Sequence, residues 1–166
     1  MSYATYEDYN ALYPGTVVET DYERLAWEAD RMMDRYTTGA DNVRKLRVAF
    51  PTDEYAVETV QRCEFALVNL MYRIEQAEAD AAAASRYITD ADGSVHGAVV
   101  SSVSSGSESK SFATGSNAAS ATAINEAVGS ISARNRLFGE VVRNYLSGTE
   151  DANGVNLLFM GVYPRV

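Results

Sequence analysis

The feature that most constrains the fold is one long apolar stripe in the middle of the chain. Between residues 53 and 86, small and apolar side chains recur at spacings of alternately three and four, at Val60, Cys63, Leu67, Leu70, Ile74, Ala77 and Ala81. This spacing is typical of the seam along which one α-helix packs against others. Thr52 can cap the helix, and Asp53 and Glu54 suit its N-terminus. At ~1.5 Å per residue the helix is about 50 Å long, so it should span a small domain from end to end.

Shorter amphipathic patterns predict further helices on both sides of this one. They lie at about residues 5–12, 20–37, 40–49 and 122–147. The positions predicted to pack in the core or between subunits are Leu25, Met32, Val60, Leu67, Leu70, Ile74, Ile131, Phe138 and Val142. With 166 residues, 46% of them hydrophobic, the chain can bury one core, and we expect a single domain over residues 1–166. The predicted fold class is mainly α: a small bundle of four to five helices, one of them long.

A serine-rich segment, residues 94–120, separates the long helix from the last one. Residues 98–103 have strand propensity, residues 104–107 have the composition of a turn, and residues 110–114 can form a returning strand. We therefore expect an inserted β-hairpin or loop over residues 94–114. The alternative on composition alone is a flexible Ser/Gly linker.

The last residues of the chain, 155–166, form an unusually apolar tail after an Asn-Gly turn. Its hydrophobic members include Leu157, Leu158, Phe159, Met160, Val162 and Tyr163. Chain ends are otherwise polar and frayed, so a tail of this composition should either fold back onto its own core or dock on another chain.

The charge and the termini limit the classes of partner. Fourteen Lys and Arg against 23 Asp and Glu give a net charge of −9, and no basic block is present to follow a phosphate backbone. Tight nonspecific binding to nucleic acid is therefore not expected. No secretory signal and no membrane-spanning apolar run are seen, so we expect a soluble protein without membrane contact.

No constellation of residues predicts catalysis, a metal or a cofactor. Cys63 is the only cysteine, which excludes an intrachain disulfide and favours an intracellular setting, and on the apolar stripe it should be a buried, inert thiol. His96 is the only histidine and has no nucleophile-elbow motif beside it. The calcium-like stretch that begins at Asp90 lacks the bidentate glutamate such a loop needs. We therefore expect no enzyme activity.

Three stretches of the chain share their pattern with one family. The opening YATYEDYNALYPG continues into DYERLAWEADRMMDRYT, the ending is ARNRLFGEVVRNYLSGT followed by NLLFMGV, and SESKSFAT lies between them. These stretches resemble the start, the final helix with its apolar tail, and the Ser-Glu-Ser hairpin of head-tail connector (adaptor) proteins of tailed phages and prophages. The chain departs from that pattern in its alanine stretch, residues 81–84, and in an acidic insertion, residues 150–154.

This resemblance implies a structural virion protein, made in the cytoplasm of the host bacterium and located in the neck between capsid and tail. It implies a closed homo-oligomeric ring of about twelve copies under the portal protein. The ring would extend the DNA channel without binding DNA specifically, and would offer a platform to a downstream neck or tail-completion protein.

The resemblance also assigns roles to two sets of residues. The portal-docking tail would use Leu157, Leu158, Phe159, Met160, Val162 and Tyr163. A hairpin that faces the channel or the next ring would use Ser101, Ser102, Ser104, Ser105, Ser107, Glu108 and Lys110. Two alternatives remain at this point: another neck or tail-completion protein, or a helical protein-interaction or regulatory module with a flexible serine-rich arm.

Overall fold

The structure is a computed structural model that describes the backbone of residues 2–89, 95–99, 102–105, 108–111 and 119–164, and the side chains of residues 2–82 and 123–164. Within these ranges the chain forms six α-helices, which confirms the predicted mainly helical bundle. They are α1 (Tyr6–Leu12), α2 (Glu19–Thr37), α3 (Lys45–Val48), α4 (Glu54–Ala84), α5 (Ala119–Gly129) and α6 (Ile131–Leu146).

The long helix α4 is the centre of the bundle, since α2, α5 and α6 all pack against it. Its start is capped by Asp53, whose carboxylate accepts a hydrogen bond from the backbone N–H of Ala56 at 3.0 Å. Most of the predicted stripe faces the core: Val60 and Leu67 are fully buried and Ile74 is buried as well, whereas Ala81, at its end, is exposed. The helix ends at Ala84, two residues before its predicted end, because the sequence that follows, SRYIT, favours an extended strand.

The last predicted helix, residues 122–147, is two helices with a break at Ser130. Ser130 adopts an extended backbone conformation, and its hydroxyl accepts a hydrogen bond from the N–H of Ala133 at 3.3 Å. Gly129 weakens the helix before this point, and the serine then caps a new one. The break changes which face of the chain turns inward, so Ile131 is 77% exposed and does not pack in the core of its own chain, while packing between subunits stays a prediction.

The other predicted core positions pack as expected. Leu25, Phe138 and Val142 are buried with the stripe of α4, while Met32 and Leu70 are half-buried against the same core. At one side of this core Tyr9 packs its ring against those of Tyr22 and Phe65, with ring centroids 4.8 and 5.5 Å away. Clustered rings of this kind bury a large apolar area while keeping their hydroxyls available for hydrogen bonds.

The helix predicted at residues 40–49 is reduced to the single turn of α3. The residues before it form a tight turn in which Asn42 has a φ of 61° and donates its N–H to the carbonyl of Gly39 at 3.0 Å. Asn tolerates this left-handed conformation better than most residues. The turn brings Arg44 back beside Thr38, with which it forms an isolated antiparallel bridge.

Between α4 and α5 the described backbone contains two antiparallel strand pairs. Strand β1 (Ser85–Thr89) pairs with β2 (Val95–Val99), and β3 (Ser102–Ser105) pairs with β4 (Glu108–Ser111). In the second pair Ser104 lies opposite Ser109. Of the predicted hairpin residues, Ser102, Ser104, Ser105, Glu108 and Lys110 lie in these strands, whereas Ser101 and Ser107 lie outside the described residues. The single hairpin over residues 94–114 stays a prediction.

Candidate docking site

The C-terminal tail folds back onto the core of its own chain and at the same time exposes an apolar face. Of its predicted docking residues, Leu157 is fully buried and Tyr163 is 7% exposed. Leu158 is half-buried against the core. These three residues therefore hold the tail on its own bundle, and the remaining three are the ones free to meet a partner.

A buried lysine anchors the middle of the tail. Lys45, on α3, is fully buried, and its ammonium donates hydrogen bonds to the carbonyl oxygens of Thr37 at 3.0 Å, Leu157 at 2.9 Å and Phe159 at 2.5 Å. An ammonium has three N–H donors, so all of them are used. Burial lowers the pKa of Lys45, while Asp151 and Asp41 act in the opposite direction. The lysine thus joins the end of α2 to two positions of the tail that lie two residues apart.

The acidic insertion before the tail is a second anchor. One carboxylate oxygen of Asp151 accepts hydrogen bonds from the N–H groups of Asn153 and Val155, both at 2.9 Å. The other oxygen accepts the hydroxyl of Tyr163 at 2.6 Å. Gly154, with a φ of 72°, makes the tight turn possible. Asp151 is only 6% exposed, and it closes a loop around the end of the tail.

The turn before α3 fixes the end of the tail from the other side. The carboxylate of Asp41 accepts the N–H of Tyr163 at 2.9 Å, and this bond lowers the pKa of Asp41. The N–H of Ala40 lies 3.2 Å from the carbonyl oxygen of Met160 and 3.3 Å from that of Gly161. A Cβ on Gly39 would lie 2.7 Å from the carbonyl oxygen of Gly161, so the two backbones touch. This contact requires glycine at position 39.

The exposed part of the tail is a compact apolar face, which we define as Phe159, Met160 and Val162. These side chains are 47%, 63% and 70% exposed. The ring of Phe159 lies over Gly161, because a Cβ at that position would be 2.2 Å from the ring. The backbone beneath the face is held by Lys45 and Asp41, so the three side chains are presented in one arrangement. Anchored apolar side chains of this kind are typical of docking sites.

A second cluster, of buried acids, lies under the N-terminal residues between α2 and α4. Asp30 is 3% exposed, Asp34 is 6% exposed and Glu64 is fully buried. Asp34 accepts hydrogen bonds from the hydroxyl of Tyr3 at 2.5 Å and from Nε of Arg47 at 2.9 Å. This network ties the N-terminal residues and α3 to α2, and nothing in the sequence pattern predicts it.

Glu64 and Asp30 both belong to this cluster, and the guanidinium of Arg47 lies 3.7 Å from the carboxylate of Asp30. One oxygen of Glu64 accepts the hydroxyls of Ser2 at 2.9 Å and Tyr22 at 3.0 Å, whereas its Oε2 and the Oδ1 of Asp30 have no donor among the described residues. Burial raises the pKa of both carboxyls, and hydrogen bonding between them raises that of Glu64 further. A proton held by Glu64 and donated to Asp30 satisfies both oxygens.

The structure places some of the reactive groups that the sequence singled out. Cys63 is fully buried as predicted, and burial raises the pKa of its thiol to about 12. Within the described residues no group of His, Cys, Asp and Glu side chains is placed to hold a metal ion. His96 lies in β2, where side chains are not described, and Asp90 and Asp92 lie outside the described residues. Of the described helices, none is long and apolar enough to cross a membrane.

Sequence reasoning found the apolar tail but missed its anchors. Lys45 lies in the basic run Arg44-Lys45-Leu46-Arg47, where a solvated surface is the usual interpretation. Lys45 is buried because of the turn before α3, and no apolar periodicity in the sequence predicts that turn.

Comparison with known proteins adds no relative, since no family model, curated protein or solved structure matches the chain. A function must therefore be supported by the described contacts together with the sequence patterns.

Proposed function

We propose that this chain is a structural virion protein, a head-tail connector (adaptor) that assembles as a ring under the portal and docks on it through its C-terminal tail. The observation that carries the proposal is the exposed apolar face Phe159, Met160 and Val162 on a backbone anchored by Lys45. The patterns at both ends of the sequence resemble that family and supply the identity of the partner.

The anchoring matters for binding. A free apolar tail loses conformational freedom when it docks, at about 0.5–1.5 kcal/mol for each immobilised flexible side chain, in addition to the cost of ordering the backbone. Here the three carbonyl contacts of Lys45 and the bonds of Asp41 order the backbone before any partner arrives. Burial of the exposed face on the portal then contributes to affinity at roughly 25 cal/mol per Å² of apolar area.

The remaining features are compatible with a channel through which DNA passes. A net charge of −9 opposes tight binding to a phosphate backbone. We propose that the serine-bearing strands β3 and β4 face the channel or the next ring. Replacement of Ser101, Ser102, Ser104 and Ser105 by lysine should then slow DNA passage, measured as the rate of genome ejection from assembled particles, and an unchanged rate would refute that position.

The proposal is tested by binding to the portal protein of the same virion. The variant Phe159→Ser, Met160→Ser, Val162→Ser removes the apolar face without touching the anchors. Its matched control is Leu12→Ser, Val18→Ser, Val48→Ser, which removes three side chains that are 47%, 63% and 64% exposed elsewhere. We expect the tail variant to lose at least about tenfold in affinity, or about 1.4 kcal/mol, and the control to bind like the wild type.

A second variant tests the shape of the face. Gly161→Ala adds one methyl group where the Phe159 ring now lies, so the ring must move while the chemistry of the face stays the same. We expect weaker portal binding with an unchanged far-UV circular dichroism spectrum. A wild-type chain that never binds the portal, or a serine variant that binds it normally, would contradict the proposal.

A further inference from the structure

A groove on the outer face of α2 is lined by arginines that form no ion pair with a described carboxylate. It has a volume of about 860 Å³, and its lining includes Trp27, Arg31, Arg35 and Arg44. The first three lie one helical turn apart on α2, and Arg44 faces them from the turn before α3. The guanidinium of Arg31 lies 4.7 Å from the centre of the Trp27 ring, and Trp27 is 60% exposed.

These three arginines differ from most others in the chain. The arginines that form ion pairs with described carboxylates are Arg24, Arg47, Arg62, Arg134 and Arg136. Arg31, Arg35 and Arg44 form no ion pair with any described residue, although the chain carries nine more acids than bases. Of the carboxylates in the groove, Asp34 is already bonded to Arg47 and Tyr3, which leaves Glu28 against three cations. The groove is therefore a cationic and aromatic surface on an acidic protein.

The same chain carries a surface of the opposite charge. A second groove, of about 300 Å³, lies between the start of α4 and the end of α6, and its lining includes Asp53, Tyr55, Tyr145 and Glu150. Tyr55 is 76% exposed. Asp53, Glu150 and the adjacent, exposed Glu54 form no ion pair with a described residue. The two grooves share no residue and lie on different helices.

We propose that the arginine groove is filled by a second copy of this chain, which presents the acidic groove around Tyr55 and Glu150. Two different but complementary surfaces on one chain give a head-to-tail contact, and such contacts form a ring when the rotation from copy to copy closes. The inference rests on the proposed ring and identifies the side-to-side contact within it. Trp27 and the arginines are the residue types that dominate interfaces of this kind, and the opposite charges fix the register.

The test reverses charge on one side of the contact. The variant Arg35→Glu, Arg44→Glu places two new acids opposite Asp53, Glu54 and Glu150 of the neighbouring copy. Its matched control, Arg73→Glu, Arg143→Glu, makes the same change at two exposed arginines of α4 and α6 that form no ion pair with a described residue. Assembly is measured by mass photometry, with and without the portal, and folding is checked by circular dichroism. We expect at least about tenfold weaker self-association for the groove variant, increasing further at low salt, and none of this loss in the control.

A compensating variant tests whether a second copy of the chain is what fills the arginine groove. Adding Glu54→Lys and Glu150→Lys to the groove variant restores opposite charges across every contact of a ring, so we expect assembly to return. If the groove variant assembles normally, or the four-substitution variant fails to recover, the proposed contact is overturned while the ring itself stands. If the wild-type chain forms no ring even on its portal, the proposed function fails first, and this inference fails with it.

Discussion

The ammonium nitrogen of Lys45 lies 2.9 Å from the carbonyl oxygen of Leu157, which follows it by 112 positions in the chain. The bond joins a one-turn helix to a segment that has no regular secondary structure of its own. Hydrogen bonds from a charged donor contribute about 1.5–3 kcal/mol, more than those between neutral groups. The tail is therefore positioned by side-chain chemistry, and the apolar face depends on an interaction hidden beneath it.

Replacing the buried ammonium should release the tail. Lys45→Met keeps the length and apolar stem of the side chain but leaves three carbonyl oxygens without their donor. We expect the free energy of unfolding to fall by about 3 kcal/mol, since unsatisfied buried acceptors each cost about 1–3 kcal/mol and the lysine no longer has to be desolvated. Amide exchange at Leu157 and Tyr163 should accelerate more than exchange in α4. Arg44→Met, at the exposed neighbouring position, is the control and should change neither quantity.

Gly39 offers an independent way to displace the same tail. In Gly39→Ala the new Cβ would meet the carbonyl oxygen of Gly161 at 2.7 Å, which is backbone and cannot rotate away. We expect a lower melting temperature and weaker portal binding, with about 1–3 kcal/mol lost from the free energy of unfolding. Gly129→Ala meets nothing within 4 Å and should be neutral or slightly stabilising. Equal melting temperatures for the two variants would show that the turn and the tail are not in contact.

The periodic parts of this fold follow from the sequence, because a helix repeats its environment every few residues. Leu67 and Ile74 lie on the predicted stripe and are buried, and the start of α4 was predicted to within one residue, although Asp53 and not the predicted Thr52 accepts the capping hydrogen bond. The break at Ser130 was missed because the apolar pattern of α5 runs on to Ile131 without a proline or a polar cluster. The break depends on a single Gly-Ser pair, and because such pairs also occur inside helices, the pair alone does not predict a break.

The sequence predicted the apolar tail of the candidate site but not its anchors, and the reason differs from that for the helix break. Apolar composition predicts Phe159 and Met160 as docking residues, but it does not distinguish these exposed residues from Leu157, which is buried. That difference is set by Lys45 and Asp151, whose polar groups bond to the tail backbone. Lys45 and Asp151 can be buried because polar partners lie within their reach, and several of these partners are backbone carbonyl and N–H groups. Nearly every residue carries such groups, so the sequence does not show which of them a charged side chain will meet.

Substitution of Ile131 tests whether the last predicted helix is broken at Ser130. Because its side chain is 77% exposed, Ile131→Ala should change the free energy of unfolding by less than about 0.5 kcal/mol. Ile74→Ala removes the same atoms from a position that is 2% exposed, and should cost about 2–5 kcal/mol. Chemical denaturation of the two variants measures this difference. Similar losses would restore Ile131 to the core and would argue for one continuous helix.

The buried carboxyl pair should make the stability of the protein depend on pH. Burial raises the pKa of Glu64 from its usual 4.5 to about 8, and the hydroxyls of Ser2 and Tyr22 do not outweigh this cost. The folded chain therefore keeps a proton that the unfolded chain releases, so the free energy of unfolding falls as the pH rises from about 4.5 to about 8. Arg47 lies 3.7 Å from Asp30, so it favours the negative charge of the pair on Asp30.

Glu64→Gln isolates this effect because the amide keeps the shape of the protonated acid and still donates a hydrogen bond to Asp30. We expect a flatter profile of stability against pH, and at pH 8 a variant more stable than the wild type by at least about 1.4 kcal/mol, the equivalent of one pKa unit. Urea denaturation at closely spaced pH values measures both. Glu28→Gln, which replaces an exposed carboxylate on α2, is the control and should leave the profile unchanged. If the Glu64→Gln profile keeps the wild-type slope between pH 4.5 and 8, Glu64 is ionised in the folded chain and the shared proton does not exist.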